Sequence, residues 1–436
     1  MIARLVVKDR VIAPRMSSIV CGRSEECGRL CDGIDCEQMM YRGMTCVRYD
    51  FDVVIDRHNT ASEKWDGVEG YFGEKGLLPM WVADMDFRVP EPVTEALRKT
   101  VEHGVYGYTM RPDSYFESVI GWMKRRHGWT INEEWICHSP GVVTALSCIV
   151  QSFTEPGDKV VIQPPVYPPF SRVVLSNGRR LVHNRLTLEA GRYSMDYDDL
   201  RKNLDSGVKL LILCSPHNPV GRVWTRDELE ELGSICLERG VLVVADELHE
   251  DIVFGGHAHT PFASISDEFS RNTIVCTGPT KTFNLAGLET SNIIIPNENL
   301  RQAFLTTMAR NNLMHVNSFG LVATESAYRF GEEWLEQLLE YLRRNLDFLT
   351  RYIAENIEGI RVIRPEGTYL VWLDCRELGM DQGELERFCL REAKVALNQG
   401  YTFGPGGEGF VRMNIACPRS TLLEGLRRID QAMKRR

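Results

Sequence analysis

Cys276-Thr-Gly-Pro-Thr-Lys-Thr-Phe-Asn284 carries a lysine, Lys281, just beyond the short apolar run Thr273–Thr277. Upstream, Ser215-Pro-His-Asn-Pro-Val-Gly-Arg222 follows the run Lys209–Cys214, and Asp246 ends Val241-Leu-Val-Val-Ala245. Each run is β-branched or leucine-rich and reads as a buried parallel strand, apolar on both faces. Asn218, Asp246 and Lys281 therefore each stand just past the C-terminal end of a strand, the edge at which open α/β sheets bind ligands. Taken singly, a lysine after a strand is usually solvated, an aspartate there often caps a helix, and Asn-Pro is a common turn. Together and in this order they supply three matched groups. The amine can form a Schiff base, the carboxylate can keep a pyridine nitrogen protonated, and the amide can hydrogen-bond a phenolic oxygen. That set points to pyridoxal 5'-phosphate, and so to an enzyme.

Composition narrows the rest. The chain has 436 residues and a net charge of −9, enough to bury a large core in two domains. No Lys/Arg block with interleaved aromatics suggests nucleic acid, and no apolar run approaches membrane-spanning length. The opening Met1-Ile-Ala-Arg-Leu-Val-Val-Lys-Asp-Arg10 breaks its apolar stretch with charge at once, unlike a secretory signal, so a cytoplasmic enzyme is expected. Five cysteines, Cys21, Cys27, Cys31, Cys36 and Cys46, crowd the N-terminus, but they form no Cys-x-x-Cys pair and the first histidine is His58. No metal is expected there. Residues 1–47 lack periodicity and are expected to be an extension outside the fold, disordered or following a misassigned start.

Residues 48–88, rich in turns and aromatics, form an arm expected to pack with a smaller domain. From 89 to 300, helices (Val93–His103, Ser114–His127) alternate with strands (Lys159–Gln163, Lys209–Cys214, Val241–Ala245, Thr273–Thr277). Such alternation implies a large domain with a mostly parallel sheet and right-handed crossovers. Residues 301–436 change pattern: a long amphipathic segment Glu332–Ile357, strand-like Thr368–Leu373, a helix near Gln382–Ala393, and strand-like Gly409–Ile415 predict a smaller α+β domain.

Four longer strings carry a resemblance: Trp81-Val-Ala-Asp-Met-Asp-Phe87, Gly104-Val-Tyr-Gly-Tyr108, Asp246-Glu-Leu-His249 and Lys281-Thr-Phe-Asn-Leu-Ala-Gly287. Residues 48–436 resemble the fold-type I pyridoxal phosphate enzymes of the aspartate aminotransferase superfamily. Within it they look most like the MalY/PatB-type carbon–sulfur lyases, the cystathionine β-lyases. The resemblance implies an aspartate aminotransferase-like α/β fold and roles for further residues. Ser139-Pro-Gly-Val-Val143 is similar to the phosphate loop, with Gly141, Val142 and Val143 offering backbone N–H groups at a helix start; a plain Pro-Gly turn is the alternative. Tyr167 resembles the aromatic that stacks on the pyridine ring and serves catalysis beside Lys281 and Asp246, though a proline-framed tyrosine also suits a core. Thr280 would add a hydroxyl to the phosphate. His249 would contact the cofactor or simply face a helix. Arg412 resembles the arginine that grips the substrate α-carboxylate, with Trp81 on the substrate side. Tyr108 resembles the residue that reaches a neighbouring subunit's cofactor phosphate, which makes a homodimer the expected active unit. Many aminotransferases place a phosphate-binding arginine where this chain has Glu289, a departure in line with the lyase subfamily.

The implied activity is β-elimination on cystathionine, cystine or another S-substituted cysteine, giving a thiol, pyruvate and ammonia. Two alternatives stay open: an aminotransferase on the same scaffold, and a non-catalytic regulatory protein that keeps the cofactor as a structural ligand.

Overall fold

The computed structural model describes residues 48–436. The expected N-terminal extension, with Cys21, Cys27, Cys31, Cys36 and Cys46, lies outside the described residues. A seven-stranded sheet is built from β1 (Ile136–Ser139), β2 (Lys159–Ile162), β3 (Arg180–His183), β4 (Val208–Cys214), β5 (Leu242–Asp246), β6 (Thr273–Thr277) and β7 (Ser291–Ile294). Its spatial order is β1-β7-β6-β5-β4-β2-β3. The continuous apolar runs are explained by burial on both faces. Val243 and Ala245 of β5 enter one core cluster, while Leu242 and Val244 enter another on the opposite face. Helix Val142–Phe153 contributes Leu146 and Ile149 to the second cluster.

One strand runs against the rest: β7 pairs antiparallel with both β1 and β6. Sequence periodicity did not single it out because Asn292 interrupts its apolar run. That amide is buried, its Oδ1 accepting from the Tyr115 hydroxyl at 2.7 Å while its Nδ2 has no hydrogen-bond partner among the described residues.

A second, antiparallel sheet follows, built from β8 (Arg361–Ile363), β9 (Leu370–Asp374), β10 (Asn398–Gln399) and β11 (Phe410–Asn414), in the order β8-β9-β11-β10. Helix Glu332–Asn356 precedes it and buries Trp334, Leu335, Leu338, Leu342, Leu346, Leu349 and Ile353, a stripe at helical spacing. Two earlier helices, Glu298–Arg310 and Ser318–Phe330, pack instead on helices of the first half, Val142–Phe153 and Glu91–His103 respectively. We therefore propose that the two domains divide at the helix Glu332–Asn356. The helix expected over Gln382–Ala393 is α-helical only to Arg387, started by an Asp381/Glu384 capping box, and then widens into a π-type turn over Phe388–Glu392.

The arm is tied to the second sheet. Leu78–Pro79 pairs in parallel with Val395–Ala396, and the Asn414 side chain on β11 donates to the carbonyls of Val82 (2.7 Å) and Asp84 (2.6 Å). This carries the segment Trp81–Asp86 to the C-terminal ends of β5 and β6. Among the described residues no helix is long and apolar enough to cross a membrane.

Candidate active site

β5 and β6 are parallel neighbours with Asp246 in register with Cys276, so Asp246 and the turn carrying Lys281 emerge side by side. Asp246 is buried, and its Oδ1 accepts a hydrogen bond from the Leu248 amide at 3.2 Å. Burial pushes its carboxyl up to about 7, against the pull of that bond and of the nearby Lys281 charge. A carboxylate held this dry favours a cationic N–H facing it.

Lys281 sits on the short helical turn Pro279–Thr282, and its Nζ donates to the Ala83 carbonyl at 2.7 Å. The Tyr369 hydroxyl donates to the same oxygen at 3.0 Å. Burial lowers the ammonium to about 8; Asp84 opposes that shift and the Arg412 charge assists it. Part of the lysine population is therefore a free amine near neutral pH. Asp84 is in turn fixed by Arg57 at 2.7 Å, while Lys64 pairs with Asp86 at 2.7 Å.

Arg412 lies on β11 between Trp372 and Asn398 in register. Its guanidinium is buried and donates to Asn218 Oδ1 (2.9 Å), Asn398 Oδ1 (2.7 Å) and the Trp81 carbonyl (2.8 Å). Its Nε has no partner, and no carboxylate among the described residues pairs with it. Burial lowers its pKa to about 10. A buried arginine held only by neutral acceptors is a seat for an incoming carboxylate.

The remaining expected residues divide. Tyr167 is half-buried close to Asp246 and Arg412, whose charges respectively raise and lower its phenol; burial is the larger influence and raises it. His249 is buried with Nδ1 unpartnered, and burial keeps the ring neutral by pushing its pKa to about 3. Gly141 has φ 96°, a conformation that favours glycine, with open space where a Cβ would point. Val142 and Val143 begin the following helix, whose first-turn N–H groups lack intrahelical acceptors. Thr280 is buried beside Lys281. Trp81 meets the site through its carbonyl, whereas its indole donates to the Lys64 carbonyl at 3.2 Å and packs on Tyr71 and Phe72. Tyr108 is 96% exposed, and its ring lies 5.4 Å from His315. Glu289 is exposed.

Sequence reasoning missed Asn398, Tyr369, the Ala83 carbonyl and Asn284, which donates to the Met85 (2.9 Å) and Phe87 (3.0 Å) carbonyls. Asn284 and Ala83 do fall within the strings that carry the resemblance, and Tyr369 within the strand-like run Thr368–Leu373, but nothing local marks any of them, or Asn398, as part of the site.

The pyridoxal phosphate expectation fits these groups. Asp246 would hold the ring nitrogen, Asn218 a ring oxygen, Tyr167 a ring face, and the Gly141–Val143 turn the phosphate.

Beside Asn218, His217 is fully buried, with Nε2 3.0 Å from the Pro165 carbonyl, and burial depresses its pKa from 6.5 to about 4. Between those pH values the unfolded chain binds a proton that the folded chain refuses, so this residue subtracts stability as pH falls. Melting curves of wild type and His217→Gln should keep a constant gap above pH 6.5. The gap should narrow toward pH 4 as wild type loses its advantage. A gap independent of pH would show that His217 is not held neutral.

Residues 80–429 match the family model for class I and II aminotransferases. The chain is 48% identical over 385 residues to cystathionine beta-lyase PatB of Bacillus subtilis, covering 88% of this chain and 100% of that one. Cystalysin from Treponema denticola, whose crystal structure contains a pyridoxal 5'-phosphate cofactor, superposes with a TM-score of 0.87 at 38% identity, over 89% of this chain and 100% of the other. The pyridoxal phosphate-bound C-S lyase from Staphylococcus hominis gives 0.84 at 36% identity, over 89% and 98%.

Proposed function

We propose that this chain, which belongs to the class I and II aminotransferase family, is a pyridoxal phosphate-dependent carbon–sulfur β-lyase acting on cystathionine, cystine or related S-substituted cysteines. The observation that carries the substrate class is Arg412, a buried guanidinium without an acidic partner among the described residues, close enough to Lys281 to depress its ammonium. That arrangement suits an amino acid with its α-carboxylate on the arginine and its Cα–H near the lysine.

Bound pyridoxal phosphate supplies an aldehyde for the substrate amine and an electron-withdrawing ring. The residues of the chain do the rest. Asp246 presents a fixed negative charge to the ring nitrogen. Arg412, steadied by Asn218, Asn398 and the Trp81 carbonyl, takes the α-carboxylate in a two-pronged pair and so orients the Cα–H bond. Lys281 Nζ, with its lowered pKa, removes the Cα proton as general base. The β-sulfur leaves as a thiolate that takes up a proton to give the thiol, and the aminoacrylate left behind adds water to give pyruvate and ammonia.

Arg412→Lys keeps the charge but loses the planar fork. It should raise KM for L-cystathionine about 10- to 100-fold, the scale of one charged hydrogen bond, with a smaller change in kcat. An unchanged KM would remove Arg412 from substrate binding.

The active unit is a homodimer in which Tyr108 reaches the cofactor phosphate of a second copy. Its support is the exposure of Val105, Tyr106, Tyr108 and Met110 together on one loop. Sedimentation of a monomer that retains full activity would overturn it. The enzyme works in the cytoplasm on this reading.

The deciding experiment mixes purified protein with L-cystathionine and L-cystine, without any 2-oxo acid, and follows pyruvate. Release over many turnovers is the expected result. One turnover that stalls until a 2-oxo acid is added would assign the chain as an aminotransferase. Full cofactor occupancy without turnover would favour a regulatory protein.

A further inference from the structure

Immediately after Asp246 the chain turns through Glu247-Leu-His-Glu-Asp251, and three carboxylates of this turn are buried: Glu247 at 0%, Glu250 at 3% and Asp251 at 4% exposure. Two histidines join them with side chains nearly inaccessible, His127 at the end of helix Asp113–His127 and His259 from the loop before Phe262. Their rings lie 5.6 Å apart and perpendicular.

Half of this cluster is closed. His127 Nε2 meets Asp251 Oδ1 at 3.0 Å, and Asp251 Oδ2 accepts from the Thr282 hydroxyl (2.7 Å) and the Trp122 indole (3.3 Å). Arg126 adds a charge 3.9 Å from Asp251. The other half is open. Glu247 Oε2, Glu250 Oε2 and both ring nitrogens of His259 have no hydrogen-bond partner among the described residues. Glu247 Oε2 lies 3.2 Å from His259 Nε2 without hydrogen-bond geometry. The second oxygens are already engaged, Glu247 Oε1 by the Phe262 amide at 2.7 Å and Glu250 Oε1 by the Thr277 hydroxyl. Donor atoms of Glu247, Glu250 and His259 all fall within 4.8 Å of one another. Dry carboxylates so placed are held either by a proton, the direction in which burial pushes Glu250, or by a counter-charge between them, and the unpartnered His259 ring facing them suits the second.

We propose that Glu247, Glu250 and His259 bind one first-row divalent cation, with zinc the best match, and that His127 stands at the edge of the site. Two carboxylate oxygens and an imidazole suit such an ion, whereas magnesium and calcium favour more oxygen ligands. Tetrahedral zinc with bonds near 2 Å separates neighbouring ligand atoms by about 3.3 Å. The Glu247–His259 separation of 3.2 Å already matches, and His127 Nε2 is 3.9 Å from Glu250 Oε2. The Phe262 amide and Thr277 hydroxyl act as outer partners that aim the two carboxylates. The ion would pin the turn after Asp246 to the 257–262 loop and the end of helix Asp113–His127. Its role is structural, and it does not depend on the lyase reading.

The test uses full-length holoenzyme stripped with chelator, then given Zn2+ alone, with metal content and thermal midpoint as readouts. Wild type should retain one zinc per chain after desalting and melt at a higher temperature. His259→Ala should bind at least about 100-fold more weakly, since even outer-partner losses reach that scale. Glu250→Gln, of nearly unchanged shape, makes the same comparison if the alanine variant does not fold. Cobalt separates this site from the N-terminal cysteines: an oxygen/nitrogen site gives visible bands without intense near-ultraviolet sulfur absorption. Zinc held equally by wild type and both variants, cobalt spectra dominated by sulfur, or no uptake with an unmoved midpoint would each overturn the proposal.

Discussion

Lys281→Ala should lower kcat for pyruvate release by at least about 10³-fold, because in the mechanism proposed above one substitution removes both the amine that anchors the cofactor and the general base. The fold should survive. Nζ makes a 2.7 Å bond to the Ala83 carbonyl, and that oxygen keeps the Tyr369 hydroxyl at 3.0 Å when the lysine is gone. The thermal midpoint of the cofactor-free variant should therefore stay within a few degrees of wild type. The cofactor should still enter through Asp246, Asn218 and Tyr167 but leave on dialysis. Turnover within tenfold of wild type would remove Lys281 from the chemistry.

Asp246→Asn should separate function from stability. The amide has the shape of the carboxylate and its Oδ1 still accepts from the Leu248 amide, yet it cannot present a negative charge. A loss of about 10²-fold or more in kcat is expected, the scale of a missing transition-state electrostatic contact. Stability should move the other way. The folded carboxyl is raised from 3.8 to about 7, so its favourable contribution is complete at low pH and lost as pH rises between those values. Cofactor-free Asp246→Asn should thus melt higher than cofactor-free wild type at pH 8, and the difference should shrink as pH falls through that range. Full activity would reject the electrostatic role. A lower melting point at pH 8 would show that the charge is compensated within the chain. A catalytic group that destabilises its own fold is the usual cost of a preorganised site.

The unevenness of what could be read beforehand follows from where each interaction is encoded. Strands β4, β5 and β6 were legible because each is a run of apolar residues bounded by polar punctuation, and burial on both faces admits nothing else. Asn218, Asp246 and Lys281 were legible for the same reason, standing where those runs stop. β7 was not, because Asn292 breaks its pattern, and the hydroxyl that its Oδ1 accepts from lies 177 positions away in sequence. The helix around Gln382 was legible in the sequence, but its π-type end was not.

Arg412 shows the boundary most sharply. An isolated arginine in a strand hints at a function, and the family strings suggested which. Its acceptors Asn218, Asn398 and Trp81 lie 194, 14 and 331 positions away, and only the assembled sheet and arm bring them together. Trp81 illustrates the same point in reverse: expected on the substrate side, it offers a carbonyl to the site while its indole is committed elsewhere. The sequence by itself determined the alternating α/β architecture and the chemical inventory of Lys281, Asp246, Asn218 and Arg412, because hydrophobic periodicity and residue type are local properties. Tertiary structure alone decided the pKa values of Lys281, Asp246 and Arg412, the carbonyl that holds the lysine, and the buried Glu247–Glu250–His259 cluster. Desolvation and hydrogen-bond geometry depend on which distant segments close over a side chain, and no local pattern records that.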